Sequence, residues 1–428
     1  MKVLIVGGGG REHALAWRAA RGASVEQVFV APGNAGTAGE AGVTNIDLAA
    51  NDLDGLLQFA QTNAIDLCIV GPEEPLVLGI VDRFDASGIP CFGPSAAAAQ
   101  LEGSKAFMKD FLRRHAIPTA RYASFTETAP AKAFADSLGL PVVIKTDGLA
   151  SGKGVFIAAS REEAHTTLDD MLSGASFGDA GRRVVVEEFL AGEEASFIAI
   201  VDGDNILPLA SSQDHKTRDD GDVGPNTGGM GAYSPAPIVD EAMHERVMRE
   251  VMHPTVQGMA ADGHRYRGFL YAGLMIDHAG TPRVLEFNCR FGDPETQPIM
   301  LRLRSDLAAL CLAACNGTLG RQSAAWDPRP ALGVVLTAGG YPGDYKKGAQ
   351  IAGLDADEGQ EDCKIFHAGT AFNADGAVVT NGGRVLCATA LGSDIATARD
   401  AAYQLADKIH FDAAHYRRDI GHRAINRG

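Results

Sequence analysis

Short apolar runs alternate with longer amphipathic segments over the first hundred residues of the chain. The apolar runs are KVLIV (2–6), QVFVA (27–31), DLCIVG (66–71) and IPCFG (89–93), and helical patterns lie near 11–22, 52–63 and 75–87. This alternation predicts βαβ units that build a parallel sheet. In such a sheet, ligands bind in the loops that follow the carboxyl ends of the strands.

A different pattern occupies residues 101 to about 190. A helical pattern over 105–115 is followed by a short strand and a second helix. The segment PVVIKTDGLASGKGVFIA (141–158) then predicts a strand, a glycine-rich loop and another strand, and a helix (160–172) and the strand RRVVVEEFL (182–190) come next. We interpret about 120–190 as a lid subdomain.

Longer apolar strands characterise the centre of the chain. They are EASFIAIVDG (194–203), FLYAGLMID (269–277) and RVLEFNCRFG (283–292), with helical patterns near 240–260 and 295–315. The polar, glycine-rich segment 211–235 reads as a loop far longer than most connections, which favours a functional role. DPRP (327–330) reads as a linker, and the tail carries strands near 331–338, 363–369 and 384–391 and a helix near 394–410.

These patterns predict three α/β and α+β domains. The first is a parallel α/β domain over 1–102, the second a central domain over 103–326, and the third a small α/β domain over 327–428.

Composition narrows the choice of ligand. The chain has 38 Lys and Arg against 54 Asp and Glu residues, a net charge of −16, which disfavours a nucleic-acid partner. A phosphate ligand would need a local cluster of cations to overcome the repulsion of this net negative charge. No apolar run approaches the ~18 residues of a membrane span, so we expect a cytoplasmic protein without a membrane partner. The seven cysteines are odd in number and lie mostly in apolar runs, which does not indicate a disulfide framework.

The first glycine loop, VGGGGREHA (6–14), follows a strand and opens a helix, where backbone N–H groups bind anions. It does not match a dinucleotide fingerprint, because Glu12 or His13 stands at the third glycine position and no acidic residue ends the second strand. Arg11 favours a phosphate monoester, and a purely structural turn is the alternative. Two further Gly-rich loops, at 31–38 and 71–75, follow other strands of the same sheet.

The second glycine loop, DGLASGKG (147–154), is not a P-loop. Asp147 stands where the first glycine is needed and Gly154 where Ser or Thr is needed. A strand on each side predicts a flap that closes over phosphates through backbone N–H groups and Lys153. An ordinary surface hairpin is the alternative, but it leaves Lys145 unexplained, because a half-buried lysine in an apolar strand needs a partner.

Two acidic segments suggest nucleotide and metal contacts. VVVEEFLAGEEASF (184–197) ends a buried strand and could offer backbone groups to an adenine edge; a charged hairpin tip is the alternative. In VLEFNCRFGDPET (284–296), residues two apart share a face. Glu286, Asn288 and Arg290 are then expected opposite Leu285, Phe287 and Cys289. An aligned carboxylate, amide and guanidinium suit Mg²⁺ beside a phosphate, and a solvated sheet face is the alternative.

The long polar segment 211–235 mixes Asp214, His215, Lys216 and Arg218 with the glycines of NTGGMG. We expect it to line the acceptor site and to close with the flap; a surface loop is the alternative. His13 and His215 are the histidines in polar loops. Each is a candidate for proton transfer or for ordinary hydrogen bonding.

Several motifs in order resemble the ATP-grasp superfamily and, within it, the phosphoribosylamine–glycine ligase (glycinamide ribonucleotide synthetase) family. They are Lys105, Lys145, GLASGKG, EEFLAGEE, DHK, GPNTGGMGAYSP and EFNCRFGDPETQP. The resemblance runs from VGGGGREHALAW to VTNGGRVLCATALG, essentially the whole chain. It implies a pre-ATP-grasp domain, an ATP-grasp fold with a flexible lid, and a small C-terminal domain. Another ATP-grasp ligase or carboxylase, an NAD-dependent dehydrogenase and a nucleotide sensor are the competing hypotheses.

The resemblance implies ligation of glycine to 5-phosphoribosylamine with ATP, through glycyl phosphate. A monomer is a separate expectation that does not come from the resemblance. ATP would contact Lys105, Lys145, Gly148, Ser151, Gly152, Lys153, Gly154, Glu187, Glu188, Phe189, Leu190 and Glu194, and Glu286 and Asn288 would hold Mg²⁺ or Mn²⁺. The other substrates would contact Gly9, Gly10, Arg11, Glu12, Asn34, Gly36, Thr37, Gly71, Pro72, Glu73, Asp214, Lys216, Gly229 and Arg290. Catalytic roles fall to Arg290, Lys145 and Asp214. Many relatives carry a further metal carboxylate where this chain has Met275.

Overall fold

A five-stranded parallel sheet opens the chain in the computed structural model, which describes residues 1–148, 154–174 and 182–427. Its strands are β1 (Lys2–Gly7), β2 (Gln27–Pro32), β3 (Val43–Asn45), β4 (Leu67–Val70) and β5 (Cys91–Phe92), in the order β3-β2-β1-β4-β5. Around it lie α1 (Gly10–Ala20), α2 (Ala35–Gly39), α3 (Leu53–Thr62), α4 (Glu73–Val77) and α5 (Ile80–Ala86). The predicted parallel sheet is confirmed.

A four-stranded antiparallel sheet with its own small core follows two short helices, α6 (Gln100–Gly103) and α7 (Lys105–Arg114). Its elements are β6 (Tyr122–Phe125), α8 (Thr128–Leu138), β7 (Val142–Thr146), β8 (Val155–Ala158), α9 (Arg161–Leu172) and β9 (Val184–Glu188). The strand order is β6-β9-β7-β8. The tip of the predicted flap, with Ser151, Gly152 and Lys153, lies outside the described residues.

The central part of the chain contains the longest strands. Its elements are β10 (Glu193–Asp202), β11 (Ile206–Pro208), β12 (Gln213–Asp214), β13 (Thr217–Asp219), β14 (Val223–Asn226), β15 (Gly231–Ser234), α10 (Glu241–Val247), a π-helical turn (Met248–Met252), α11 (His253–Ala261), β16 (Arg267–Ile276), β17 (Pro282–Asn288), α12 (Thr296–Arg302) and α13 (Leu307–Cys315). Strands β11, β10, β16 and β17 form one antiparallel sheet in that order.

The C-terminal part adds a third sheet. Its elements are a 3₁₀ turn (Leu319–Arg321), β18 (Ala331–Thr337), β19 (Cys363–His367), β20 (Thr370–Phe372), β21 (Val378–Thr380), β22 (Arg384–Leu391), α14 (Ile395–Ala406) and α15 (His422–Ile425). The sheet order is β12-β15-β18-β22-β19. The segment predicted to be one long loop therefore contributes two strands to this sheet and a separate hairpin, β13–β14. Strands of two to four residues are too short to show an apolar periodicity.

A β-bulge interrupts the strand that carries the predicted metal ligands. The pairing of β16 with β17 shifts from Gly273↔Glu286 to Leu274↔Val284, which leaves Leu285 without a partner in the register. Val284 and Phe287, three apart, both enter the core. The predicted strict alternation is therefore wrong at Leu285, because a bulge adds a residue and turns the strand locally. The bulge directs the Leu285 carbonyl towards Lys145 Nζ, at 3.2 Å.

The structure also answers two questions about disulfide bonds and membrane-spanning helices. All seven cysteines are free thiols, five of them buried, in agreement with the absence of a predicted disulfide framework. Within the described ranges no helix combines the length and apolar character that crossing a bilayer requires.

Candidate functional site

Charged side chains from separate elements meet around Glu286 on β17. Lys216, between β12 and β13, places Nζ 3.3 Å from Glu286 Oε1 and 3.7 Å from Glu194 Oε2. Lys216 above all, with Lys145 and Lys105, lowers the pKa of Glu286 to about 2 against the effect of burial. The predicted metal carboxylate is therefore ionised and surrounded by cations, as the sequence required of a phosphate site in an acidic protein.

The first predicted ATP lysine contacts the turn that follows β7. Lys105, the first residue of α7, donates from Nζ to the Gly148 carbonyl at 2.8 Å. Asp147 accepts hydrogen bonds from Ser104 Oγ at 3.0 Å and from the Ala106 N–H at 3.2 Å, so the same turn is tied to the helix start. Burial lowers the pKa of Lys105, the nearby Lys145 adds to this, and Glu286 opposes it.

The second predicted ATP lysine belongs to a buried ion cluster. Lys145 Nζ lies 3.1 Å from Glu187 Oε1, and Lys109 Nζ lies 2.7 Å from Glu187 Oε2. Lys109 and Glu187 are essentially inaccessible. Sequence reasoning missed Lys109, although its position four residues after Lys105 puts both on one helix face.

The two carboxylates of the predicted adenine hinge, those of Glu187 and Glu188, have different partners. Glu188 accepts from the Arg121 N–H at 2.9 Å and pairs with Arg121 Nε at 3.0 Å. Its other contact is Arg283 Nη1, at 3.4 Å. Phe189 is 41% exposed and Leu190 is half-buried. The backbone from 188 to 190 is therefore what this segment can present to a base, and its role there remains a prediction.

Arg290 connects the N-terminal domain to the end of the metal strand. Its Nε lies 3.3 Å from Glu73 Oε2, and its Nη2 lies 2.9 Å from Glu102 Oε1. Glu102, which sequence reasoning missed, also accepts the Cys289 N–H at 2.7 Å. Burial raises the pKa of Glu102 to about 7, although Arg290 opposes the rise.

The first glycine loop lies against the same strand end. Arg11 is buried, pairs with Glu12 and donates to the Phe291 carbonyl at 3.3 Å. Glu12 accepts the Gly9 N–H at 2.6 Å, which closes the start of α1. A Cβ on Gly71 would stand 2.1 Å from Glu12 Oε1, so the loops after β1 and β4 meet only because this position is glycine. Gly10 is the first residue of α1, and Pro72 lies in the loop after β4.

The loop after β2 is tied to the first one through Asn34. Its Oδ1 accepts from the Gly36 N–H at 2.9 Å and the Thr37 N–H at 3.0 Å, and its Nδ2 donates to the Gly8 carbonyl at 3.0 Å. Three loops at the carboxyl edge of the parallel sheet therefore come together, as the topology predicted. The hydrogen bonds of Asn34 also give it a structural role.

Asp214 and Gly229 are in contact at β12, the edge strand of the C-terminal sheet. Gly229 has φ +115°, and a Cβ there would lie 2.7 Å from Asp214 Oδ1 and 2.3 Å from Pro294 Cδ. Asp214 Oδ1 is buried and has no hydrogen-bond partner among the described residues. Burial, together with the neighbouring Glu295, raises the pKa of Asp214 well above its usual value. This position therefore presents an unsatisfied oxygen acceptor.

Both histidine candidates are buried structural residues. His215 Nε2 accepts the Gly421 N–H at 3.2 Å, and His13 Nδ1 accepts the His367 N–H at 2.7 Å. Burial, then Arg417 and other cations, lowers the pKa of His215 to about 3. The geometry supports the hydrogen-bonding alternative for both residues.

The depressed His215 pKa predicts acid sensitivity. The folded protein keeps this imidazole neutral to about pH 3, whereas the unfolded chain takes up a proton near pH 6.5. The contribution of His215 to the free energy of unfolding is complete above pH 6.5. Below that pH it falls by roughly 1.4 kcal/mol per pH unit. His215→Gln keeps an acceptor for Gly421, so its free energy of unfolding should fall less steeply than that of the wild type from pH 6.5 to 4. Parallel urea titrations of the two proteins would measure this, and identical pH slopes would contradict it.

Glu286 and Asn288 have the chemistry of a magnesium site. Both offer hard oxygen ligands, which Mg²⁺ prefers, and the Glu286 carboxylate already attracts the Lys216 ammonium. Asn288 is 8% exposed and adjoins Glu286 on β17. No group of three or more His, Cys, Asp or Glu side chains in the described ranges is arranged to hold a metal. Two protein ligands are enough for Mg²⁺, because phosphate oxygens and water molecules can complete its coordination shell.

Comparisons with known proteins cover the whole chain. Family models described as phosphoribosylglycinamide synthetase match as the N domain over 1–102, the ATP-grasp (A) domain over 103–296 and the C domain over 331–423. Phosphoribosylamine–glycine ligases of Allochromatium vinosum, Vibrio cholerae and Escherichia coli K12 are 65%, 62% and 61% identical over 427 residues, 100% of this chain and 99% of each relative.

Solved structures agree with the sequence comparisons. The crystal structure of a phosphoribosylamine–glycine ligase from Thermotoga maritima has a TM-score of 0.86 at 37% identity, over 98% of this chain and 100% of that one. A biotin carboxylase from Campylobacter jejuni has a TM-score of 0.73 at 14% identity, over 97% and 92% of the two chains. The second likeness shows the shared fold alone.

Proposed function

The chain belongs to the phosphoribosylglycinamide synthetase family and has the phosphoribosylamine–glycine ligase activity of purine biosynthesis, and from this premise we propose how its residues carry out the reaction. Glycine, 5-phosphoribosylamine and ATP give glycinamide ribonucleotide, ADP and phosphate. The observation that carries the proposal is that Lys216 Nζ lies 3.3 Å from Glu286 Oε1, while Lys105, Lys145 and Arg290 lie close enough to lower the pKa of the same carboxyl. Such a cluster can hold the triphosphate of ATP next to a carboxylate acceptor.

The first step activates glycine. A carboxylate and an amine do not condense unaided at neutral pH, so the γ-phosphoryl group is transferred from ATP to a glycine carboxylate oxygen, giving glycyl phosphate and ADP. Phosphoryl transfer depends on positioning and charge stabilisation more than on a protein nucleophile. Lys105 and Lys145 are proposed to bind the transferring phosphates and Arg290 the acyl group.

The lid and hinge are proposed to enclose the nucleotide. The glycine loop from Gly148 to Gly154 would cover the phosphates; its residues 149–153 lie outside the described residues. The backbone of 187–190 would meet the adenine and Glu194 the ribose. Closure would exclude water, which otherwise hydrolyses an acyl phosphate. Mg²⁺, or Mn²⁺ in its place, would be held by Glu286 and Asn288 and would offset the charge on the phosphate oxygens.

The second step forms the amide. The amine of phosphoribosylamine attacks the acyl carbon, phosphate leaves, and the amine loses a proton. Asp214 is proposed to accept that proton, because its raised pKa brings a carboxylate closer to the pH at which it works as a base. Lys216 and Gly229 line the same region, and a side chain at Gly229 would collide with Asp214 Oδ1.

The N-terminal loops are proposed to bind the sugar phosphate. Arg11→Ala removes a buried guanidinium at the start of α1 and should raise KM for phosphoribosylamine by about tenfold or more, with KM for ATP nearly unchanged. Steady-state kinetics with each substrate varied in turn would measure both values. Arg83→Ala, an exposed arginine of the same domain, is the matched control. Equal effects of Arg11→Ala on both KM values would argue against this location.

A coupled ADP assay tests the overall function. ADP release should require glycine and phosphoribosylamine together, and omission of either should abolish it. Bicarbonate in place of glycine should give no ADP; if it does, a carboxylase of the same superfamily becomes the better assignment. The domain limits at 102 and 326, the lid at about 120–190, the cytoplasmic location and the monomeric state are also proposals.

A further inference from the structure

A buried lysine outside the proposed ATP contacts adjoins the lysine that would bind phosphate. Lys109 on α7 is fully buried, and its Nζ lies 2.7 Å from Glu187 Oε2. The other oxygen of the same carboxylate lies 3.1 Å from Lys145 Nζ. Two ammonium groups thus share one carboxylate, and the cluster carries a net charge of +1.

Lys109 makes shorter polar contacts than Lys145, whose Nζ lies 3.1 Å from Glu187 Oε1 and donates to the Leu285 carbonyl at 3.2 Å. Lys109 Nζ donates to Thr119 Oγ1 at 2.8 Å, and Thr119 Oγ1 donates to the Val284 carbonyl at 2.7 Å, so Lys109 is tied to the strand that carries Glu286. Glu187 Oε1, in contrast, receives no hydrogen bond of good geometry from any described residue, although Lys145 is near. The contact between Lys145 and Glu187 is therefore the looser of the two.

We propose that Lys109 is a positioning residue that neutralises Glu187 and so leaves Lys145 free to bind the phosphates of ATP. This inference rests on the proposed function, because it takes Lys145 as a phosphate ligand. A carboxylate left alone in a protein interior is strongly unfavourable. With Lys109 in place, Lys145 can turn from Glu187 to a phosphate without leaving that carboxylate unpaired. Without Lys109, ATP must compete with Glu187 for the only remaining lysine.

The charge balance supports this division of roles. Burial would raise the pKa of the Glu187 carboxyl, but Lys145 and Lys109 together hold it below its usual value, so the carboxylate stays ionised. Two cations on one anion exceed what neutralisation of Glu187 needs. The extra positive charge is available to a ligand, and Lys145 is the cation of the pair that lies near Glu286.

Three variants of the full chain test the proposal. Lys109→Met should weaken MgADP binding and raise KM for ATP by about tenfold or more, with KM for glycine nearly unchanged. The double variant Lys109→Met/Glu187→Gln removes the carboxylate as well, restores the net charge of +1, and should recover MgADP affinity to within a few-fold of the wild type. Lys132→Met, which breaks the Lys132–Asp169 contact of 2.7 Å at the lid surface, is the matched control.

Calorimetric titration with MgADP and steady-state kinetics give the readouts. Recovery in the double variant supports the proposal even if Lys109→Met alone does not fold, because a packing role for Lys109 predicts that the second substitution adds to the damage. Wild-type affinity in Lys109→Met, or a double variant that binds MgADP no better than Lys109→Met, would overturn it. A wild-type chain that releases no ADP with glycine and phosphoribosylamine would instead refute the proposed function.

Discussion

Replacing Glu286 with alanine is expected to reduce ligase turnover by about 10³-fold or more, which is the scale of losing one preorganised electrostatic contact together with a metal ligand. The carboxylate lies 3.3 Å from Lys216 Nζ, and Lys145, Lys105 and Arg290 also help to lower its pKa. Without it, the cations repel one another and Asn288 alone remains as a proposed magnesium ligand. A coupled ADP assay over a range of Mg²⁺ concentrations would measure the loss.

The fold should tolerate this change, because the Glu286 side chain is 40% exposed and leaves no cavity in the core. Glu245→Ala, an exposed glutamate on α10, serves as the matched control and should keep wild-type activity. Near-normal turnover of Glu286→Ala at saturating Mg²⁺ would refute the metal role of this residue.

Replacing Arg290 with glutamine is expected to damage both stability and activity. Its guanidinium is the cationic partner of Glu102 at 2.9 Å and of Glu73 at 3.3 Å. Removing one side of a buried ion pair costs about 3–5 kcal/mol, because the remaining carboxylate is left unpaired. Turnover should fall by about 10²–10³-fold if Arg290 also stabilises the acyl phosphate. Urea unfolding and the ADP assay measure the two effects.

A second substitution separates the two effects. In Arg290→Gln/Glu102→Gln the unpaired Glu102 carboxylate is removed, so most of the lost stability should return. Turnover should stay low, because the cation at the acyl group is still missing. Recovery of activity along with stability would mean that Arg290 only supports the fold and has no part in the chemistry.

Strong local patterns allowed the sequence to predict much of this architecture. The apolar runs at 2–6, 27–31 and 66–71 form mostly buried strands, and their alternation with helical patterns predicted the parallel sheet. The segment 211–235 was harder. Its strands are only two to four residues long, and β15 is held in place by pairing with β18, about a hundred residues later in the chain. Nothing in the local pattern encodes such a partner.

The same contrast holds at the site. Glu286 and Lys145 could be selected because a charged group in an apolar strand needs a local explanation, and Lys105 was selected through the resemblance to the ATP-grasp superfamily. Glu102 could not, because it looks like an ordinary polar residue of a helix until its partner is known, and for Lys109 the only local signal was its spacing of four residues from Lys105. The bulge at Leu285 is also a tertiary feature, since it depends on the register with β16.

The sequence by itself determined the class of fold, the family and the types of residue that the reaction needs, because burial patterns and motif spacing are local properties of the chain. Only the tertiary structure decided which charges share a partner. Ion pairs such as Lys109–Glu187 and Arg290–Glu102 join residues 78 and 188 positions apart, counted from their numbers. Coulomb energy in a buried site depends on distances of a few ångströms, and chain folding sets those distances.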